Sequence, residues 1–275
     1  MTLSILGVLL PLEIGGVHVA WTSPIIWSLL LGSIVLGMLF LVTEGWVAKE
    51  PMMPLPMLRQ RDVALSNLIM LYQSAAQAGL MFVVPLYFQV TSSASTTVAG
   101  AHLVPAVVGN AIGGILSGII INRTRRYKGL IVVATFTSTS AYALLIIRWR
   151  GNTNWLESMY IVPGGFGMGI VQSALFVSVQ AAIDPSHAAI AASTLYLTSS
   201  TGFLAGMSGV SAVLQTTLRK RLDRGLEELG FVGVERQDII DHAVSNVRYA
   251  EKVAPLIARV IGASYIDALM WTHGK

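Results

Sequence analysis

The sequence contains no cysteine, which excludes a disulfide framework, a thiolate metal site and a cysteine nucleophile together. Charge is nearly as scarce. Asp, Glu, Lys and Arg make up 12% of the 275 residues, about half the share of a soluble domain. With 54% hydrophobic residues and a mean hydropathy of +0.67, such a chain cannot cover a water-facing surface with polar groups. Residues 63–121 hold no Asp, Glu, Lys or Arg, and residues 129–147 hold none either. Neither a Gly-rich phosphate loop ending in Lys-Ser/Thr nor a His-x-x-x-His pair occurs, so no cofactor and no metal are expected. The net charge of +4 sits in short clusters between long apolar runs. That distribution argues against nucleic acid and for a lipid bilayer as the partner.

What the chain has in abundance is apolar runs long enough to span hydrocarbon, which takes about twenty helical residues. Six strong runs cover residues 24–43, 63–90, 98–121, 129–147, 158–183 and 188–218. A seventh, 2–21, is weaker because Pro11, Glu13 and His18 interrupt it. It is no convincing signal peptide, since no Lys or Arg precedes its apolar part. Backbone groups in lipid must be satisfied within the segment, and the runs lack the alternation of barrel strands. The expected fold is therefore all-α, a polytopic transmembrane helical bundle over residues 1–218. Residues 219–275 form a polar tail with apolar positions at helical spacing, such as Ile239, Ile240, Ala243, Val244 and Val247. Either a packed cap or a helix lying on the membrane surface suits that pattern.

Arg123, Arg125, Arg126 and Lys128 crowd into six positions between two uncharged runs. The short connections on the same face, including Lys49, Arg59 and Arg61, carry seven basic residues against two, Arg148 and Arg150, on the other. The positive-inside rule then places this knot in the cytosol and the tail on the non-cytosolic side. The knot also has a shape. Gly118, Asn122, Arg123, Arg125 and Arg126 form Gly-x-x-x-Asn-Arg-x-Arg-Arg at the end of a span. This resembles the Gly-x-x-x-Asp-Arg-x-Gly-Arg-Lys/Arg motif of the major facilitator superfamily, with Asn122 in place of the acid and Arg125 in place of the second glycine. In that family the loop helps latch one helical bundle in the outward-facing state. Asn122 keeps hydrogen-bonding capacity without the charge, so a weakened latch is implied.

The resemblance extends through Pro85-Leu86-Tyr87-Phe88-Gln89-Val90, Ala99-Gly100 and Pro105, which look like spans of the fungal fourteen-span drug:proton antiporter group. Residues 161–169, 180–182 and 213–220 are similar to stretches of vacuolar basic amino-acid transporters. The match lies in the family's C-terminal half, implying a partial major facilitator fold. What it implies in function is export or sequestration of small cationic solutes, drugs or basic amino acids, with protons as coupling ion in a full-length form. The vacuolar or plasma membrane of a fungus is the implied location. The chain is expected to be truncated; the alternative is a non-transporting or defective membrane protein that pairs with full-length relatives.

Candidate chemistry within the spans is confined to amides and one histidine. Gln73 and Gln77 share a helix face, with Asn67 about a turn earlier, and Asn110 and Gln172 sit mid-span. They are candidates for the substrate path if they face a cavity, and helix–helix glue if they do not. His102, near the start of its span, is either a titrating group or an interface-facing or hydrogen-bonded residue. No carboxylate lies mid-span in the six strong runs, so Glu13 in the weak run is the nearest candidate counter-charge. Gly109/Gly113, Gly114/Gly118, Gly165/Gly169 and Gly202/Gly206 are each four apart, which lets helices approach closely. Pro85, Pro105 and Pro163 are expected as kinks inside spans. Gly206-Met207-Ser208-Gly209 is similar to the rhomboid protease nucleophile motif, but later histidines, His242 and His273, fall only in the tail. No catalytic residue is expected. The Asn122-Arg123-Thr124 sequon is idle if the knot is cytosolic.

Overall fold

The computed structural model describes residues 6–7, 10–11, 23–43, 46, 60–149 and 155–272. Most of the weak first run, with Glu13 and His18, lies outside the described residues, as do Lys49, Arg59, Arg150 and His273. Among the described residues there is no strand. The elements in chain order are α1 (Pro24–Val42), α2 (Arg61–Ser92), α3 (Thr96–Ala101) and α4 (Val104–Thr124), then α5 (Lys128–Arg148) and a 3₁₀ turn (Trp155–Ile161). They continue with α6 (Val162–Ala182), a short 3₁₀ turn (Pro185–His187), α7 (Ala188–Glu228), α8 (Gly233–Ser245), a 3₁₀ turn (Val247–Lys252) and α9 (Pro255–Thr272). Among the described residues, five segments are long and apolar enough to cross a membrane: α2, α3–α4, α5, the 3₁₀ turn with α6, and α7. α1 is a further apolar helix, capped by the Ser23 hydroxyl, with Pro24 in its first turn. The protein is a transmembrane helical bundle.

Proline placement differs from the sequence expectation in two of three cases. Pro85 lies inside α2, which continues past it. Pro105 and Pro163 instead stand in the first turns of α4 and α6. There the missing N–H is one that no helical carbonyl would have taken. Each of these spans is therefore a broken helix, with α3 and a turn before α4 and a 3₁₀ segment before α6.

Glycine decides which helices touch most closely. A Cβ on Gly113 of α4 would overlap the Phe166 carbonyl of α6, and one on Gly165 or Gly169 would overlap Ala106 or Asn110. The same interlock joins α7 to α2, where Gly202 and Gly206 lie against the backbone of Leu71 and Ala75. Gly118 has nothing within 4 Å. Hydroxyls and amides bridge the remaining contacts. Thr198 donates to Asn67 Oδ1 at 2.8 Å, Ser74 and Ser199 meet at 2.8 Å, and Ser66 donates to Ser178 at 3.2 Å. In lipid, such bonds and close packing replace the hydrophobic drive that holds soluble helices together. The outward faces are apolar too: Ile115 and Phe136 are 65% and 73% exposed, as lipid-facing side chains should be.

Two apolar clusters fill the bundle, one toward each end. Near the knot, Val63, Met70, Ile170, Leu175 and Leu195 pack together. At the opposite end, Tyr87, Phe88, Leu145, Trp149 and Ile161 join a stripe on α7 formed by Leu214, Leu218, Leu222 and Leu226. α7 has 41 residues, about 60 Å of helix at 1.5 Å per residue and twice the hydrocarbon thickness. It runs unbroken past Leu218, and α8 and α9 cover its far end through Ile239, Ile240, Ala243, Ile261 and Tyr265. Ion pairs pin this cap: Arg219 with Asp241 at 2.7 Å, Arg221 with Asp267 at 3.4 Å, and Arg236 with Asp223 at 3.2 Å.

Candidate functional site

The close crossing of α4 and α6 creates the site. Because Gly169 lies against the backbone of Asn110, the residues one turn further on, Gln172 and Ser173, reach the same face as Asn110 and Gly114. Here a cavity of about 360 Å³ opens, bounded by α2, α4, α6 and α7. Gly114 and Gly169 leave room in its wall, and Ser173 closes one side by donating to the Gly114 carbonyl at 3.2 Å. Asn110 and Gln172 supply amide donors and acceptors, while Phe176 and Tyr196 present aromatic surfaces. Met70, Leu175 and Leu195 complete an apolar lining. Among the described residues, no carboxylate lines the cavity. A cation there would be held by amide and hydroxyl oxygens and by aromatic faces.

Of the five amides singled out in the sequence, the structure brings two to this cavity, Asn110 and Gln172. Gln73 is tied elsewhere, its Nε2 donating to Ser138 Oγ of α5 at 2.6 Å. Gln77 is buried one turn on, 7% exposed, and does not line the cavity. Asn67 bridges α2 and α7 through Thr198. The sequence missed Tyr196 and Phe176, because an aromatic in an apolar run carries no mark of which way it faces.

The knot ends α4. Gly118, Asn122, Arg123, Arg125 and Arg126 are exposed, and among the described residues no salt bridge involves them. Arg125 caps the helix in the left-handed conformation, φ 57°, its N–H reaching the Ile121 carbonyl at 2.8 Å. Only glycine adopts that conformation freely, and Arg125 is the position where the resembling motif carries its second glycine. Thr124 braces the turn: its hydroxyl donates to the Ile120 carbonyl at 2.7 Å and accepts from the Arg126 N–H at 3.3 Å.

At the other end, His102 follows α3 and is buried. Its Nδ1 lies 2.5 Å from Ser158 Oγ, and its ring stacks on Phe88 at 3.6 Å. It is hydrogen-bonded rather than turned to the interface. Glu157, which directly precedes Ser158 in the chain, went unnoticed in the sequence because it stands one position before an apolar run. The structure buries it to 8% exposure.

No family model matches the chain. Individual proteins do. The vacuolar membrane amino acid uptake transporter fnx2 of Schizosaccharomyces pombe is 29% identical over 258 residues, 94% of this chain and 43% of that protein. The multidrug resistance protein fnx1 of the same yeast is 24% identical over 266 residues, covering 94% and 49%. The vacuolar basic amino acid transporter 2 of Saccharomyces cerevisiae is 24% identical over 257 residues, covering 93% and 50%. The chain is a homologue of fungal MFS-type transporters. It spans about half the length of the curated relatives it matches. Within the Gly-x-Ser-Gly stretch, Gly206 packs, seating α7 on Ala75 of α2, while Gly209 has nothing within 4 Å. The chain's relatives are transporters rather than enzymes. With five membrane-span helices among the described residues, it is a multi-pass membrane protein, and its relatives include vacuolar membrane transporters and efflux pumps.

Proposed function

We propose that this chain forms the solute-binding part of a fungal MFS-type transporter that moves small cationic solutes, basic amino acids or drugs. The observation that carries the reading is the cavity joining Asn110 and Gln172 across the α4–α6 crossing. Its size, about 360 Å³, lies at the small end of ligand pockets, which run roughly from 300 to 1,000 Å³. The broken spans and the glycine-seated crossings beside it suit helices that shift against one another in alternating access. Relatives named for amino-acid uptake and multidrug resistance support the same solute classes. The positive knot is assigned to the cytosol, and α8 and α9 to the other side, on the charge asymmetry of the short loops. Proton coupling is part of the proposal.

The test is solute binding by the purified chain in lipid nanodiscs, followed as stabilisation against unfolding across a titration of lysine, arginine and a cationic dye. At least one should stabilise saturably, and Asn110→Leu and Gln172→Leu should each weaken that binding about tenfold, the effect of losing one good polar contact, about 1.4 kcal/mol. Equal binding in both variants would remove the cavity from the solute path. Absence of saturable binding by any of the three would remove the solute classes. A non-transporting membrane protein that pairs with longer relatives would show such absence together with co-purification of a relative.

A further inference from the structure

Apart from tyrosines, the ionisable side chains buried in the spans among the described residues are His102 and Glu157. They come from different broken spans, and a bond from His102 to the residue after Glu157 joins the two breaks. His102 sits in the break between α3 and α4, bonded to Ser158, and Ser158 directly follows Glu157 in the 3₁₀ segment before α6. An aromatic wall screens them on the α2 side: His102 stacks on Phe88, Phe88 meets Trp149 edge-on at 5.6 Å, and Trp149 stacks on Tyr87 at 4.2 Å. Glu157 is 8% exposed, and its Oε2 has no hydrogen-bond partner among the described residues.

Among the described residues, the charged and titratable groups on the elements around this carboxyl are few. From α5 comes Arg148, whose guanidinium sits 5.9 Å from the centre of the Tyr160 ring and forms no salt bridge with Glu157. The 3₁₀ segment adds Tyr160 itself, α2 adds Tyr87 behind Trp149, and the α3–α4 break adds His102. A carboxylate taken from water without donors or a paired cation is costly, and the group avoids that cost by holding a proton. Among the described residues, neither a salt bridge nor a hydrogen bond to Oε2 relieves that cost.

We propose that Glu157, beside the His102–Ser158 pair, is a proton-binding site in the broken end of the bundle. On loading, carboxylate and hydronium become carboxylic acid and water; release reverses the step, and no electron moves. Arg148 is the nearby cation that sets how readily the site loads. Proton exchange here would give a transporter its coupling ion, a consequence that rests on the functional reading above, whereas the site's chemistry does not.

The experiment is infrared spectroscopy of the purified full chain in lipid bilayers across a pH series, following the carbonyl stretch of protonated carboxylic acids. Wild type should show a carboxylic-acid band that disappears as pH rises, and Glu157→Gln should lack it. Arg148→Gln, at an exposed position, should keep the band and move its midpoint upward by about one pH unit, because removing a neighbouring cation disfavours the carboxylate. This second variant decides the matter if Glu157→Gln does not fold. A band that persists in Glu157→Gln, or a midpoint unmoved in Arg148→Gln, overturns the proposal. The solute-binding titration runs in parallel. A titrating Glu157 without solute binding rejects the transporter reading and leaves the site; solute binding without a titrating Glu157 does the reverse.

Discussion

Gly113 and Gly118 lie on the same helix in opposite circumstances, and substituting each by alanine separates packing from propensity. A Cβ on Gly113 would overlap the Phe166 carbonyl oxygen and approach its C and Cα to 3.0 and 3.1 Å. These are backbone atoms of α6, which cannot rotate aside, so the two helices must separate. Overpacking of this kind costs typically 1–3 kcal/mol. Separation would also loosen Gly109, Gly165 and Gly169, which seat the same crossing, so the upper half of that range is expected. A Cβ on Gly118 meets nothing within 4 Å. Both alanines gain the same helix propensity, up to about 1 kcal/mol over glycine. That gain cancels when the variants are compared, leaving the steric term alone. Gly113→Ala should therefore unfold more easily than Gly118→Ala by about 2–3 kcal/mol, and Gly118→Ala should match or exceed wild type. The assay is equilibrium unfolding of the purified chain in mixed micelles with increasing denaturing detergent, followed by circular dichroism. Solute binding should fall in Gly113→Ala as well, since Asn110 and Gln172 depend on this crossing. Equal stability of the two variants would refute the interlocked crossing.

Four further outcomes follow from particular contacts. Arg125→Gly should stabilise the chain by about 1 kcal/mol, because glycine adopts the left-handed C-cap without strain; a thermal melt showing a loss would contradict the cap geometry. Gln73→Leu and Ser138→Ala should each destabilise by about 1 kcal/mol, and the double variant by little more than one alone, as expected for one interhelical hydrogen bond. Burial holds the Tyr265 phenol above its ordinary pKa, while its hydroxyl donates to the Ala243 carbonyl at 2.6 Å. The folded value then exceeds the unfolded value near 10, so this contribution is intact below pH 10 and is lost as pH rises beyond it; hydrogen exchange in α8 and α9 should quicken there in wild type but not in Tyr265→Phe. A cysteine placed at Thr124 in this cysteine-free chain should react with an impermeant thiol reagent from the cytosolic side only, and labelling from the opposite side alone would invert the orientation.

Much of this protein was legible one segment at a time. Runs of twenty apolar residues in a solvent without hydrogen bonds have one regular solution, the helix, so 24–43, 63–90 and 129–147 appear where expected as α1, α2 and α5. The motif-like knot was likewise local, and the structure finds its departing residue, Arg125, in the conformation that glycine would favour. Facing was not legible. In a soluble helix the polar side marks the outside, but here the lipid face and the packed face are both apolar, so Phe136 and Phe88 read alike until one proves exposed and the other buried. Only the tertiary structure decided that Asn110 and Gln172 share a cavity while Gln73 bonds to Ser138. It also turned two prolines from kinks into helix starts, carried α7 past Leu218, and buried Glu157 next to the residue that His102 bonds. Each of those outcomes depends on how closely two distant backbones approach. That distance is set by glycines on one helix meeting carbonyls on another, a pairing no single segment contains.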